Sequence, residues 1–462
     1  MPGARIGVVE PNPPPELDEL RSLVDPDIRV FAITPASGRI LDSCRVWEDI
    51  ADVRAPAFTR MQVWESVGSG YVRFGSDGQG ALGFVAENRV LGSAVYDRLR
   101  ALATGASGLR LFEGTTLKSL SLPPHSPGAA LGSPPQELAR VETADGRVVR
   151  ARLVVGADGG GSVTRSLAGV GSWAKDYEQH GVVASVRLAG DNQRTAWQRF
   201  LPAGPLALLP LWNDMSSIVW SVPPAEAARL KALPGPDLAA EINAAFAQQG
   251  SAQDAAAAAS QGGAVDLFTK GAVKLSRAMQ GAAHTVTRAE PMGTPPLVTE
   301  VVGGAASFPL RMAGANEYAR SRLALVGDAA HTVHPLAGQG LNLGLGDADA
   351  LARTLARGAE AGRDVGSLSL LREYDGERRA QVQGMQTALD VIKAVFAAGG
   401  HRPGVPSAVR TAGMSAIHAL GPLKNEMAAF AMGSDSSAAA KVVGSVGAFL
   451  SPSLSTPFGS GR

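Results

Sequence analysis

Short β-branched runs alternate with alanine-rich stretches along most of this 462-residue chain. That rhythm predicts a mostly parallel sheet with helices on its faces, because strands buried on both faces read as continuous apolar runs. Three such runs end in an acidic residue: Ile6 to Glu10, Arg152 to Asp158 and Leu323 to Asp328. Ligands of open α/β sheets gather at the carboxyl ends of strands, so Glu10, Asp158 and Asp328 are predicted to line one crevice. Between Val182 and Val222 the texture changes to β-type runs with little helix between them, such as Gly181 to Arg187 and Ser216 to Trp220. That predicts an antiparallel sheet inserted between halves of the parallel domain. After Asp347 two helical blocks are predicted, Ala348 to Arg357 and Leu370 to Ala397. A weaker amphipathic segment from Ala408 to Met432, suited to covering a core or to lying on a docking or membrane surface, precedes a Ser/Gly/Pro tail. Pro123 to Pro135 reads as a flexible loop, and Ala252 to Ala264 as a low-complexity insertion.

The length and the 45% hydrophobic content suit two or three domains with sizeable cores. With 43 basic and 42 acidic residues the formal charge is +1, which asks for no polyanion and excludes nucleic acid as a main ligand. No stretch reaches the ~18 apolar residues of a membrane span. The first ten residues read as a core strand and not as a signal or transit peptide. The single cysteine, Cys44, excludes an intrachain disulfide framework and fits a reducing compartment. With no nucleophile signature around it, Cys44 is expected to pack.

The most informative stretch runs from Ala324 to Asp347, ALVGDAAHTVHPLAGQGLNLGLGD. It reads as a buried strand, a Gly-Asp turn, a loop without bulk where a flat ring could press on the backbone, and a helix beginning near Gly340. Gly338 and Gly340 let main-chain amides approach a ligand closely. A helix start offers unpaired N–H groups and a partial positive charge, suited to an anionic ring edge. Asp328, His331 and His334 stand at i, i+3 and i+6, but on an extended loop that spacing does not converge on a metal. A second motif, Gly156-Ala157-Asp158-Gly159-Gly160-Gly161-Ser162-Val163-Thr164-Arg165, places a carboxylate at a strand end, then three glycines, then Ser162 and Arg165 at a helix start. That combination suits phosphates and sugars.

Together the two motifs resemble the second and third cofactor motifs of the class A flavoprotein aromatic hydroxylases. The second is carried by Gly156 to Gly159 with Ser162 and Arg165, the third by Gly327 to His331 with Pro335 and Gly338 to Asn342. Within that superfamily, the run Trp197 to Pro210, WQRFLPAGPLALLP, and Met61-Gln62-Val63-Trp64 look like the ubiquinone-biosynthesis hydroxylases, in particular the mitochondrial type. The likeness runs from Ile6 to about Met432. It implies an α/β fold with a Rossmann-like FAD-binding domain over 1–50, 85–172 and 305–365. An inserted antiparallel β-sheet substrate domain would occupy 51–84 and 173–304, and C-terminal helices and a tail 366–462.

The resemblance further implies FAD as cofactor. Glu10 matches the family's ribose-binding acid, Arg29 an arginine near the pyrophosphate, and Asn88 a residue where the family approaches the flavin. Asp158 and Gly159 lie in the motif that meets the pyrophosphate and, in many members, the nicotinamide donor. Asp328 would bind the ribityl chain, and Pro335, Gly338, Gly340, Leu341 and Asn342 would line the isoalloxazine. One small departure is Thr164, where a valine is usual.

The implied activity is an FAD-dependent monooxygenase that uses molecular oxygen to hydroxylate the ring of a polyprenylated phenol in ubiquinone biosynthesis. Electrons would come from NADPH or a ferredoxin chain, and partners would include other ubiquinone-biosynthesis proteins. The implied location is the matrix side of the mitochondrial inner membrane, with peripheral membrane contact. Arg199 to Pro210 would roof an apolar substrate cavity, and no catalytic base is apparent. Two other readings stay open: another flavin oxidoreductase of the same fold, and a non-catalytic scaffold subunit. The acid of a dinucleotide-binding strand lies ~20 residues after Gly-x-Gly-x-x-Gly, whereas Glu10 has only nine residues before it. The expectation is that a first strand, its glycine loop and a first helix fall upstream of Met1, and that these 462 residues alone hold flavin poorly.

Overall fold

The computed structural model describes residues 4–66, 71–75, 80–105, 108–123, 137–247, 292–333 and 338–396, with side chains as far as 387. The chain begins with β1 (Ile6–Glu10), α1 (Leu17–Arg21), β2 (Val30–Ile33), α2 (Pro35–Ser43) and α3 (Trp47–Arg54). It makes an excursion through β3 (Ala57–Phe58), β4 (Arg60–Glu65) and β5 (Tyr71–Phe74), then returns as β6 (Gly83–Glu87), α4 (Asn88–Ala103) and β7 (Leu109–Glu113). A small antiparallel sheet of β8 (Leu117–Ser121), β9 (Ala139–Thr143) and β10 (Val148–Ala151) leads to β11 (Val154–Gly156) and α5 (Val163–Leu167). The second excursion holds β12 (Ser172–Leu188), β13 (Thr195–Leu201), β14 (Gly204–Pro210), β15 (Met215–Val222), α6 (Pro224–Ala232), α7 (Gly235–Ala247) and β16 (Val298–Ala315). It is followed by β17 (Ala319–Arg320), β18 (Leu323–Leu325), a 3-10 turn at Gly327–Ala329, β19 (His331–Thr332), α8 (Gln339–Glu360) and α9 (Leu368–Phe396).

Both excursions contribute to one eight-stranded sheet, in the order β19-β16-β12-β15-β14-β13-β4-β5. It is mixed and not wholly antiparallel as expected. The reason is that β4 arrives from the first excursion and lies parallel to β13, Trp197 opposite Gln62. One face packs on α6 and α7, burying Val182, Leu206, Leu208, Ile218 and Trp220 against Leu230, Leu238 and Ile242. Each fully buried aliphatic side chain of this kind contributes roughly 1.5–3 kcal/mol. The other face meets β3 and β6, where Ala196, Leu211 and Met215 pack with Phe58 and Val85.

The parallel part is in two pieces among the described residues: β1 with β7, and β11 with β18. Strand β1 was expected to be a core strand, yet Ile6 is 56% and Val9 37% exposed. Among the described residues β1 pairs with β7 and no described strand pairs with its second edge. Two further expectations are corrected. The block predicted from Ala348 to Arg357 is not a separate helix: it continues the one expected to begin near Gly340, and the two are a single helix α8 from Gln339 to Glu360. Cys44, expected to pack, is exposed at the end of α2. Pro335, most of the loop from Pro123, the insertion at Ala252, the segment from Ala408 and the tail lie outside the described residues.

Candidate functional site

Strands β11 and β18 run parallel with Gly156 beside Leu325, so the two loops that follow start side by side. The Val326 amide donates to the Gly156 carbonyl at 3.0 Å. Arg165 then joins the loops further out, one guanidinium nitrogen donating to the Gly160 carbonyl and another to the Ala329 carbonyl, each at 2.8 Å. The motif arginine is therefore committed to backbone oxygens and bridges the loops.

The two motif aspartates differ in what surrounds them. Asp158 accepts from the Ser162 hydroxyl at 2.5 Å and from the Thr164 amide at 2.8 Å, while Ser162 caps α5 by accepting from the Arg165 amide at 2.9 Å. Partial burial works to raise the Asp158 pKa, but the Ser162 and Thr164 hydrogen bonds outweigh it and hold the carboxyl below its ordinary value. Asp328 has no hydrogen-bond donor or ion-pair partner among the described residues. Its side chain keeps an exposed side, yet the surrounding atoms partly desolvate the carboxylate and raise its pKa, an effect that His331 and Arg29 nearby only partly oppose. A carboxylate in that condition is a ready acceptor for ligand hydroxyls.

A raised carboxyl pKa means that the folded chain holds the proton longer than the unfolded one, so stability falls as pH rises through the window just above the ordinary aspartate value. The difference between wild type and Asp328→Asn in urea midpoint is expected to grow across that acid window, the variant being relatively more stable at the upper end. A pH-independent difference would contradict this.

Helix α8 opens on Gly338, whose left-handed φ of 60° disfavours any residue with a Cβ and whose Cβ would stand 3.4 Å from that of Ala32. The Asn342 amide clamps this start to β2. It donates to the Ala32 carbonyl at 2.8 Å and accepts from the Thr34 amide at 3.0 Å. Leu341 packs into the core formed by Leu17, Ile33 and Leu91. The side chains of Leu341 and Asn342 thus hold the helix in place, and the backbone amides of its first turn are what it presents. Arg29 immediately precedes β2, its carbonyl accepts from the Asn88 amide at 2.9 Å, and its charge acts on Asp328.

A buried node not anticipated from the sequence holds this arrangement. The Asp347 carboxylate accepts from the Gly327 amide at 2.8 Å and from Arg378 Nε at 2.7 Å, and lies 2.6 Å from His331 Nε2. It is fully buried, with His331 at 1% and Arg378 at 5% exposure. Gly344 lets the turn approach: a Cβ there would be 3.2 Å from the Gly327 Cα. A signal for the node did exist, since Asp347 is an acid directly after the small and apolar run Leu343-Gly344-Leu345-Gly346.

Asp158, Asp328, Arg29, Asn88, Gly338, Gly340, Leu341 and Asn342 thus belong to one connected group. Glu10 does not join it by hydrogen bond or ion pair among the described residues. Its carboxylate accepts from the Asn12 amide at 2.9 Å, beside the Tyr96–Glu113 pair. Within the group there is open space: a Cβ on Gly159, Gly161 or Gly340 would meet no atom of the described residues within 4 Å. Such a cradle, with an unpartnered acceptor and a helix N-terminus on it, fits a ligand carrying hydroxyls and an anionic ring edge, as FAD does.

The FAD binding domain family matches residues 280–388. Ubiquinone biosynthesis monooxygenase COQ6 of Xenopus tropicalis is 35% identical over 406 residues, covering 87% of this chain and 82% of the frog protein. The 3-demethoxyubiquinol 3-hydroxylase of Escherichia coli is 32% identical over 410 residues, covering 88% of each chain. Among solved structures, p-nitrophenol 4-monooxygenase PnpA of Pseudomonas putida superposes with a TM-score of 0.61 at 16% identity, over 94% of this chain and 93% of PnpA. The fold is that of the FAD-dependent monooxygenases, and FAD is the cofactor. Within that class the chain belongs to the COQ6 family of ubiquinone-biosynthesis hydroxylases.

Proposed function

We propose that this chain hydroxylates the aromatic ring of a polyprenylated phenol, using molecular oxygen, in the mitochondrial assembly of ubiquinone. The observation that carries this reading is the junction of the Asp158 and Asp328 loops beside the start of α8, around space that no side chain of the described residues fills. When bound there, FAD supplies the redox and oxygen chemistry. The chain's residues then hold and orient. Asp328 accepts from ribityl hydroxyls, and Gly159 and its neighbours leave room for the pyrophosphate. Arg29 sets positive charge beside the phosphates, with Asn88 next to it. Gly338, Gly340 and the amides around Leu341 and Asn342 face the ring edge. Glu10 takes the adenosine ribose. The mixed sheet covers the ring on its other side and excludes water.

The electron donor in this reading is a ferredoxin chain or NADPH, and the polyprenyl tail brings the protein to the matrix face of the inner membrane beside other ubiquinone-biosynthesis proteins. The direct test supplies the recombinant chain with FAD, a reductant, oxygen and a prenylated phenol. The expected product is the same phenol carrying one added ring oxygen, seen by mass spectrometry. Oxygen consumed with no oxygenated ring in any phenol tried would overturn the reading.

A further inference from the structure

Strand β13 divides its side chains between the two faces of the large sheet. Trp197 and Leu201 belong to the core under α6 and α7. Arg199 points the same way, donating to the Ala245 and Phe246 carbonyls at 3.0 and 2.6 Å. The alternate position Ala196 packs on the opposite face with Phe58, Val85 and Met215, toward β2 and β6. Gln198 shares that face by the two-residue period of a strand. It is turned toward the side of the molecule where β2 meets the start of α8.

The register places Gln198 in a row across five strands: Val183, Val219, Ala207, Gln198 and Val63. Its four companions are apolar. Val219, Ala207 and Val63 are half-buried like Gln198 itself, whereas in the neighbouring row Ser185 and Ser217 are wholly buried. The inward face thus has an open apolar strip in which Gln198 is the one polar side chain, the serines of the neighbouring row being buried. The Gln198 carboxamide makes no hydrogen bond among the described residues. A phenol with a prenyl tail has the complementary character, an apolar body with one or two ring oxygens. A neutral carboxamide can donate to a ring oxygen through Nε2 or accept a phenolic O–H through Oε1, and it leaves the phenol's proton in place.

We propose that Gln198 hydrogen-bonds the ring oxygen of the phenolic substrate and so sets which edge of the ring faces the cofactor. The inference rests on the hydroxylase reading above. The test titrates the full chain with a prenylated phenol and with its analogue lacking the ring oxygen, following the protein's tryptophan fluorescence, to which Trp212 on the inward side contributes, with bound FAD and the melting temperature measured alongside.

Wild type is expected to prefer the phenol. Gln198→Leu is expected to weaken phenol binding about tenfold and to leave the deoxy analogue unchanged, so that the preference collapses while FAD content and melting hold. Gln198→Asn, which keeps the amide on a shorter stem, is expected to fall between. In turnover the leucine variant raises KM for the phenol. The proposal is overturned if Gln198→Leu keeps the wild-type preference, or if it weakens both ligands equally. Should the leucine variant not fold, Gln198→Met carries the same comparison with a side chain closer in shape. A wild type that binds neither ligand and forms no hydroxylated phenol overturns the hydroxylase reading instead, and the Gln198 assignment falls with it.

Discussion

Asp347→Ala is expected to cost about 3–5 kcal/mol of folding stability, because it removes one partner of a buried ion pair and leaves the other charged in a dry environment. Three groups lose their acceptor at once: the Gly327 amide, His331 Nε2 and Arg378 Nε. Against a net stability of roughly 5–15 kcal/mol for a typical domain, that is a large share. Asp347→Asn retains an acceptor oxygen for Gly327 but not the charge that faces Arg378, so it should recover only part of the loss. The sharper comparison pairs Asp347→Ala with Arg378→Leu. With both charges gone, the buried-charge penalty disappears and the double variant should be more stable than Asp347→Ala alone. Urea unfolding of the four proteins of this cycle measures it. A loss below about 1 kcal/mol for the alanine variant, or no recovery in the double, would contradict the node's role.

Asp328→Ala is expected to act in the opposite sense on the two quantities it touches. Loss of a charged acceptor for ligand hydroxyls should weaken FAD binding by about 10–100-fold, since hydrogen bonds to charged groups contribute roughly 1.5–3 kcal/mol. Folding of the flavin-free chain should be unharmed, and slightly improved above the acid range, because the carboxylate removed is one that burial disfavours. Asp158→Ala makes the contrast: its carboxylate already serves the Ser162 hydroxyl and Thr164 amide, so stability should fall with it. Flavin-fluorescence titration beside a urea melt reads both quantities on one sample. If Asp328→Ala binds flavin as wild type does, the cradle has been assigned to the wrong carboxylate.

Much of this was legible in the chain because the relevant signals are local. Buried apolar runs ending at Asp158 and Asp328 marked two strand ends, and parallel pairing of Gly156 with Leu325 brings their loops together. Ser162, three residues ahead of Arg165, announced a capped helix. What was not legible depends on contacts distant in sequence. Asn342 bonds Thr34, 308 residues away, and so belongs to the scaffold through its side chain although its motif suggested a wall of the ring site. Asp347 meets Arg378 across 31 residues and two helices. Strand β4 could be recognised as a strand, but its parallel place beside β13 is set only when the first excursion docks on the second. Exposure of β1 likewise follows from the neighbours it has, which its own five residues do not specify.

The double grip of Arg165 on Gly160 and Ala329 has a mechanical consequence. The two loops are tied into one jaw, so on the reading proposed above whatever displaces the sugar-phosphate end of a bound dinucleotide also shifts the backbone beneath its redox end. A cofactor seated at one end only would meet a surface already shaped for the other, and engagement should therefore be all-or-none.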